Sequence, residues 1–353
     1  MRSSCFVTPT NASAPGTTTP YGSAALRRGR TIGRRRPGVT SSAPMDYVQP
    51  LVHLGLRGRM LHVPGEPGRD REILLVYGHH ALLERWWGLV QVLSEYGTVT
   101  MPDMPGFGGM ESFYRIGRTP SIDEYADFLA AVVERHYRNR RFTIFGISLG
   151  FVVATRMLQR HPTLVNAVDL IASVSGWVHH DDLRLPGSLR QAVRQGSRLL
   201  SLPFIAPALQ RALFNGPSVR AAYNFPIQRS KTRTGPASEH RRRLADLEVR
   251  LWKANDMRTH WATFAEIMAL DNRNCEIGIP VWQVYISGDS YLDNDAVRRS
   301  LLMIYSDCYS CRVDLAVHAP SGIDGKDVMA ALVPPRLAHV LHGHHGKPEI
   351  RTG

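Results

Sequence analysis

Residues 142–150 read Phe142-Thr143-Ile144-Phe145-Gly146-Ile147-Ser148-Leu149-Gly150. The first four are apolar or β-branched, the pattern of a strand buried on both faces. From Leu149 to Arg160 the apolar residues recur at helical spacing. A strand that passes into a helix through Gly146-Ile147-Ser148-Leu149-Gly150, a G-x-S-x-G, forces the serine onto a tight turn. Gly146 and Gly150 then leave room for close backbones. The Ser148 Oγ is expected above the carboxyl edge of the sheet, with a helix N-terminus beneath it. Chance alone supplies roughly 0.2 such matches in a chain of this composition, so the strand–helix context carries the weight.

Outward from this turn, strands alternate with helices. Strands are predicted over Ile73–Tyr77, Thr98–Met101, Phe142–Phe145, Ala167–Val174, Val281–Ile286 and Val313–Val317. Helices are predicted over Trp86–Tyr96, Ile122–Tyr137, Leu149–Arg160 and Asp295–Tyr305. That order predicts an α/β fold, a mostly parallel sheet covered by helices on both faces. The alternation breaks at residues 177–274, which read as a helical insertion between two strands. It has helical spacing over Leu189–Phe214, interrupted by Pro203 and Pro207, and again over Glu239–Trp252.

Length and composition narrow the function classes. A chain of 353 residues with 43% apolar content has ample material for a large core. Apolar runs such as Phe128–Val133 fall far short of the roughly 20 residues that span a bilayer, so a transmembrane protein is excluded. The net charge is +13, but residues 1–44 hold seven arginines and no Asp or Glu, leaving +6 for the rest. This Ser-, Thr- and Arg-rich tail is expected to be disordered. It is either an arm or a stretch preceding a true start at Met45. Arg34-Arg35-Arg36 lacks the apolar segment of a twin-arginine export signal. Arg241-Arg242-Arg243 reads as a solvated helix face rather than a nucleic-acid site. Cys5, Cys275, Cys308 and Cys311 are too scattered for a disulfide framework and fit a reducing, cytoplasmic compartment. The one C-x-x-C, Cys308 to Cys311, lacks a second ligand pair for zinc and reads as two packed thiols. Glu111 spoils the dinucleotide-binding pattern after Gly106, Gly108 and Gly109, and no P-loop is present.

Three motifs, in order, resemble the α/β-hydrolase superfamily over most of residues 50–340. The first is Tyr77-Gly78-His79-His80, similar to that family's His-Gly loop but with Tyr77 in place of histidine. The second is Pro102-Asp103-Met104-Pro105-Gly106-Phe107-Gly108, similar to its D-x-P-G-x-G turn. The third is the serine elbow itself. The resemblance implies an α/β-hydrolase core over 45–176 and 275–341, a helical cap over 177–274 and a polar tail over 342–353.

A serine hydroxyl needs a base to become a nucleophile, and the base needs an orienting carboxylate. The resemblance implies the chain order Ser, acid, His. It assigns Ser148 as nucleophile, Asp289 as acid with Asp293 as competitor, and His318 as base. His318 lies in Val317-His318-Ala319-Pro320, where Val317 replaces the family's usual glycine. Asp181 and Asp182 are further candidates for the acid. The backbone N–H groups of His79 and Leu149 are the implied oxyanion donors. The His79, His80, His179 and His180 side chains are assigned no base role. The implied activity is cleavage of an ester-type acyl bond with no metal or organic cofactor. The substrate is a small molecule, expected to carry an apolar acyl or alcohol group suited to cap residues such as Leu199, Phe204 and Leu209. Two alternatives are a non-catalytic binding scaffold, prompted by Tyr77, Phe151 and Val317, and nucleic-acid binding through the Arg-rich tail. Nothing in the sequence bears on oligomeric state.

Overall fold

The structure, a computed structural model, describes residues 43–221, 236–315, 318 and 325–343. Eight strands form one sheet in the order β1-β2-β4-β3-β5-β6-β7-β8. They are β1 Val48–His53, β2 Leu56–Val63, β3 Arg71–Val76, β4 Gly97–Pro102, β5 Phe142–Ile147, β6 Val168–Val174, β7 Val281–Ile286 and β8 Cys308–Val313. From β4 to β8 all neighbours are parallel, while β1 and β2 add antiparallel at one edge. The continuous apolar run of β5 has the expected cause, since all six residues are buried.

The strand order locates the site. The chain leaves β3 toward β4 on one side, then returns past β3 to lay β5 on the other. This reversal opens a crevice at the carboxyl ends of β3 and β5, the place where open α/β sheets bind ligands. Val76 pairs with Gly146, Ile147 with Val174, and Ile286 with Val313. The loops that follow β3, β5, β6, β7 and β8 therefore leave along one edge.

Helix α1 (Trp87–Leu93) follows β3, α2 (Ile122–His136) precedes β5, and α3 (Leu149–Arg160) follows it. Ser121 starts α2 by accepting the Glu124 N–H at 3.1 Å. Arg156 and Arg160 of α3 pair with Asp123 and Asp127 of α2. Between β6 and β7 lie α4 (Gly187–Leu200), α5 (Ile205–Ala212), α6 (Pro236–Ala254) and α7 (Met257–Ile267). The helical spacing over Leu189–Phe214 is thus split into two helices. The break at Ser201–Phe204 contains Pro203, which lacks the N–H a continuing helix needs, while Pro207 sits in the first turn of α5, where it is tolerated. After β7 come α8 (Asn294–Leu301), α9 (Gly325–Ala330) and α10 (Pro335–Leu341). Among the described residues no helix is long and apolar enough to cross a membrane.

Two corrections concern the strands. The last one spans Cys308–Val313 rather than Val313–Val317, and residues 316 and 317 lie outside those described. As an edge strand it is only part-buried, so Tyr309, Ser310 and Arg312 stand where a central strand would need apolar residues. Cys308 and Cys311, three apart on a strand, point to opposite faces and are both buried. The hairpin β1–β2 is an addition. Its two-residue turn, Leu54-Gly55, has positive φ at both positions (52° and 77°), and a leucine there gives no turn signal.

The tail over residues 1–42 and the end of the chain from residue 344 lie outside the described residues.

Candidate active site

Ser148 occupies the turn between β5 and α3 with φ 52° and ψ −122°, a conformation costing an L-residue on the order of 1–3 kcal/mol. Its own backbone holds it there: the N–H donates to the Val174 carbonyl at 2.9 Å, and its carbonyl accepts from the Phe151 N–H at 3.0 Å. The flanking glycines are needed for close approach. A Cβ on Gly146 would stand 2.6 Å from the Phe151 Cα, and one on Gly150 would overlap the Val76 carbonyl oxygen. A Cβ on Gly78 would stand 3.0 Å from the Ser148 Cβ, so the loop leaving β3 lies directly against the serine.

Three residues distant in sequence meet at this edge. The His318 Nε2 lies 3.0 Å from the Ser148 Oγ, and its Nδ1 lies 2.6 Å from the Asp289 Oδ2. Asp289 sits in the turn after β7, its side chain inaccessible to solvent. Its Oδ1 accepts the N–H groups of Tyr291 at 2.8 Å and Leu292 at 3.3 Å. Burial alone would raise this carboxyl, but the His318 hydrogen bond and charge, with the two amides, hold it below its ordinary 3.8. Ala319 and Pro320, beside His318, lie outside the described residues, as does Val317.

The other carboxylates have different partners. Asp293 accepts the N–H groups of Asp295 and Ala296, both at 3.1 Å, and so caps α8. Asp182 is buried with one oxygen on the Val178 and His179 amides and the other on the Ser300 hydroxyl. Asp181 is exposed and pairs with Arg190 at 2.8 Å. His179, His180 and Asp181 lie close enough to hold a cation. However, the His179 Nε2 lies 2.7 Å from the Arg273 guanidinium and its Nδ1 accepts the Asp181 N–H. A metal there would have to displace Arg273 and face Arg190. The cluster is a capping turn. In the basic run on α6, Arg242 and Arg243 are exposed, and Arg243 pairs with Glu239 one turn away.

The His79 amide follows Gly78 in the loop against Ser148, and no acceptor for it is found among the described residues. Leu149 begins α3, so its N–H has no intrahelical acceptor. Sequence reasoning missed what holds the His79 loop. Tyr77, standing where the family has histidine, is fully buried; its hydroxyl donates to Asp103 at 2.8 Å and accepts the Met104 N–H at 3.0 Å. It thereby ties the loop to the Asp103–Gly108 turn. Asp103 is further held by Arg59 at 3.1 Å, and Arg59 by Glu84 at 2.7 Å.

The helical insertion supplies the other wall. Helix α7 brings His260 and Phe264 against the His79 ring, at centroid distances of 4.3 and 5.8 Å, and the His79 Nε2 donates to the His260 carbonyl at 3.1 Å. No sequence motif flags His260, since it reaches the site from 181 positions away.

Burial lowers both imidazoles, His79 to about 3 and His260 well below 6.5, with the neighbouring histidines adding repulsion. A lowered folded-state value means the unfolded chain binds these protons first, so stability is full above about pH 6.5 and falls as pH drops. Each such imidazole contributes about 1.4 kcal/mol per pH unit below that point. His53, His62 and His136, also lowered by burial, act in the same direction. Asp289 adds its own loss only at lower pH, below 3.8. Asp103, pushed up to about 8 by burial, acts the opposite way over this range, so the expected result is a difference between variants: urea unfolding loses less stability from pH 7 to pH 5 in His260→Gln than in the wild type. The same change from pH 7 to pH 5 in His260→Gln and wild type would contradict this assignment.

A family model described as the alpha/beta hydrolase fold matches residues 60–299. The monoacylglycerol lipase abhd6-B of Xenopus laevis is 27% identical over 112 residues, covering 30% of this chain and 32% of its own length. The chain thus spans about a third of that relative. A thermophilic esterase from Thermogutta terrifontis superposes with a TM-score of 0.57 at 14% identity, covering 83% of this chain and 99% of its own. The enol-lactonase of Burkholderia xenovorans LB400 gives 0.56 at 15% identity, with the same coverage of 83% and 99%. At such identities the two structures show a shared fold. With the family model covering most of the chain and the parallel sheet carrying the serine turn, the chain belongs to the α/β-hydrolase family.

Proposed function

We propose that the protein hydrolyses an ester-type acyl bond through an acyl-enzyme on Ser148. The observation that carries this reading is the continuous relay Ser148 Oγ, His318 Nε2, His318 Nδ1, Asp289 Oδ2, with steps of 3.0 and 2.6 Å. In this mechanism His318 removes the Ser148 proton as Oγ attacks the carbonyl carbon, then returns it to the leaving alcohol. Asp289 keeps a proton on the His318 Nδ1, leaving Nε2 free to act as base. The oxyanion forms between the N–H groups of His79 and Leu149, each worth on the order of 3 kcal/mol in the transition state. Water, activated by the same histidine, then releases the acid.

The helices between β6 and β7 serve as a cap over this edge. Support comes from α7, whose His260 and Phe264 pack on His79, and from α6, whose Trp252 lies 4.0 Å from the His80 ring. An aromatic wall beside the proposed oxyanion site suits an apolar acyl or alcohol group. The free thiols of Cys308 and Cys311 fit a cytoplasmic setting.

Exposure to a fluorophosphonate tests the reading. A single phosphonyl adduct is expected on the wild-type chain by intact mass, and none on Ser148→Ala. A folded wild-type protein that takes no adduct, or an adduct that persists in Ser148→Ala, refutes the activated serine.

A further inference from the structure

An amphipathic helix in water normally turns its apolar stripe toward the protein. Helix α4 departs from this, with apolar side chains on its outer face as well as on its inner one. Leu189, Ala192 and Leu199, spaced three and seven residues apart, share one face and are all exposed. The side packed inward carries Ser197, buried, with Arg190, Val193, Arg194 and Leu200 half-buried. The turn after the helix continues the exposed apolar surface. Leu202 is exposed, Phe204 is 88% exposed, and Leu213 follows at the end of α5. Of the eleven large apolar side chains exposed among the described residues, five fall within residues 189–213. Scattered surface leucines are ordinary, but this concentration on two neighbouring helices and their turn is not.

The two helices that carry the patch hold basic residues and no acidic ones: Arg190, Arg194, Arg198 and Arg211. Between Asp182 and Glu239 the chain holds nine Lys or Arg and no Asp or Glu. Arg198 and Arg211 are exposed, Arg198 also acting on the charge of Glu266 in α7. On α4 Arg190 and Arg194 lie on the half-buried side, Arg190 paired with Asp181, and Arg198 is the exposed one. A protein partner would meet the apolar face, but it would not explain an acid-free run of 56 residues. A bilayer with anionic headgroups satisfies both features, apolar side chains entering the acyl boundary and guanidinium groups meeting phosphates.

We propose that Leu189, Leu199, Leu202, Phe204 and Leu213, with Arg198 and Arg211, form a docking surface for anionic phospholipid bilayers. It places the helices between β6 and β7 at the membrane surface without inserting a spanning segment. The proposal goes beyond the hydrolase reading and is tested without an activity assay.

The test is co-sedimentation of the full chain with vesicles of phosphatidylcholine alone or with one quarter phosphatidylserine. Wild-type protein is expected to sediment with the anionic vesicles and to be released as salt is raised. Leu199→Ser with Phe204→Ser is expected to lower the partition coefficient at least tenfold. Arg198→Gln with Arg211→Gln is expected to lower it severalfold on anionic vesicles alone. Because the Arg-rich segment 1–44 is identical in all of these chains, it cannot produce the differences. An unchanged thermal midpoint and unchanged fluorophosphonate labelling will show that the variants are folded. The proposal is overturned if wild-type protein stays in solution with both vesicle types, or if the Leu199/Phe204 variant binds as wild type. It is equally overturned if light scattering shows a dimer that this variant dissociates, since the occupant is then a second copy of the chain.

Discussion

Ser148→Ala and His318→Ala are each expected to lower kcat on p-nitrophenyl butyrate by about 10⁴- to 10⁶-fold, with the double variant little worse than either. The reason for non-additivity is that a serine without its base and a base without its serine are equally unable to start the reaction. Asp289→Asn is expected to cost about 10⁴-fold. The amide presents an N–H toward the His318 Nδ1, at the position where the carboxylate oxygen now stands at 2.6 Å, and so favours the wrong tautomer. Asp293→Asn keeps a side-chain oxygen for the α8 cap and is expected to leave kcat within a few-fold. Comparing kcat of these two asparagine variants decides the acid: a larger loss in Asp293→Asn overturns the assignment of Asp289. A loss below tenfold in Ser148→Ala or His318→Ala overturns the relay itself.

The second large effect is on stability. Gly150→Ala is expected to destabilise the fold by about 3 kcal/mol or more, because the added methyl overlaps the Val76 carbonyl oxygen and stands 2.6 Å from the Tyr77 carbonyl oxygen. Those atoms end β3 and lead into the His79 loop, so any relaxation moves the proposed oxyanion donor as well. Gly196→Ala, in the middle of α4 with nothing within 4 Å of the new Cβ, is expected to stabilise by about 0.5–1 kcal/mol. The same substitution in two helices thus gives opposite signs, measured as urea-unfolding free energies. Equal effects would mean that the close approach of α3 to β3 is unimportant.

Much of the architecture was legible because it is written locally. Strand β5 and helix α3 each encode their type within six to twelve residues, through burial on both faces and helical spacing. Strand β7 is found where the apolar run from Val281 to Ile286 places it. Strand β8 was misplaced by several residues because an edge strand exposes part of its length and loses the continuous apolar signal. The β1–β2 hairpin went unread because Leu54 takes a positive φ that residue type does not advertise.

By itself the sequence determined the alternating elements, the tight serine turn, and a short set of acids and histidines late in the chain. The tertiary structure decided which of these meet. His318 reaches Ser148 across 170 positions and Asp289 across 29, because the parallel register aligns the ends of β5, β7 and β8. It also put Asp293 to use as a helix cap and brought His260 onto His79. Local periodicity records which face of a segment is buried. It holds no information about which distant segment lies opposite, because that depends on strand order and packing across the whole sheet.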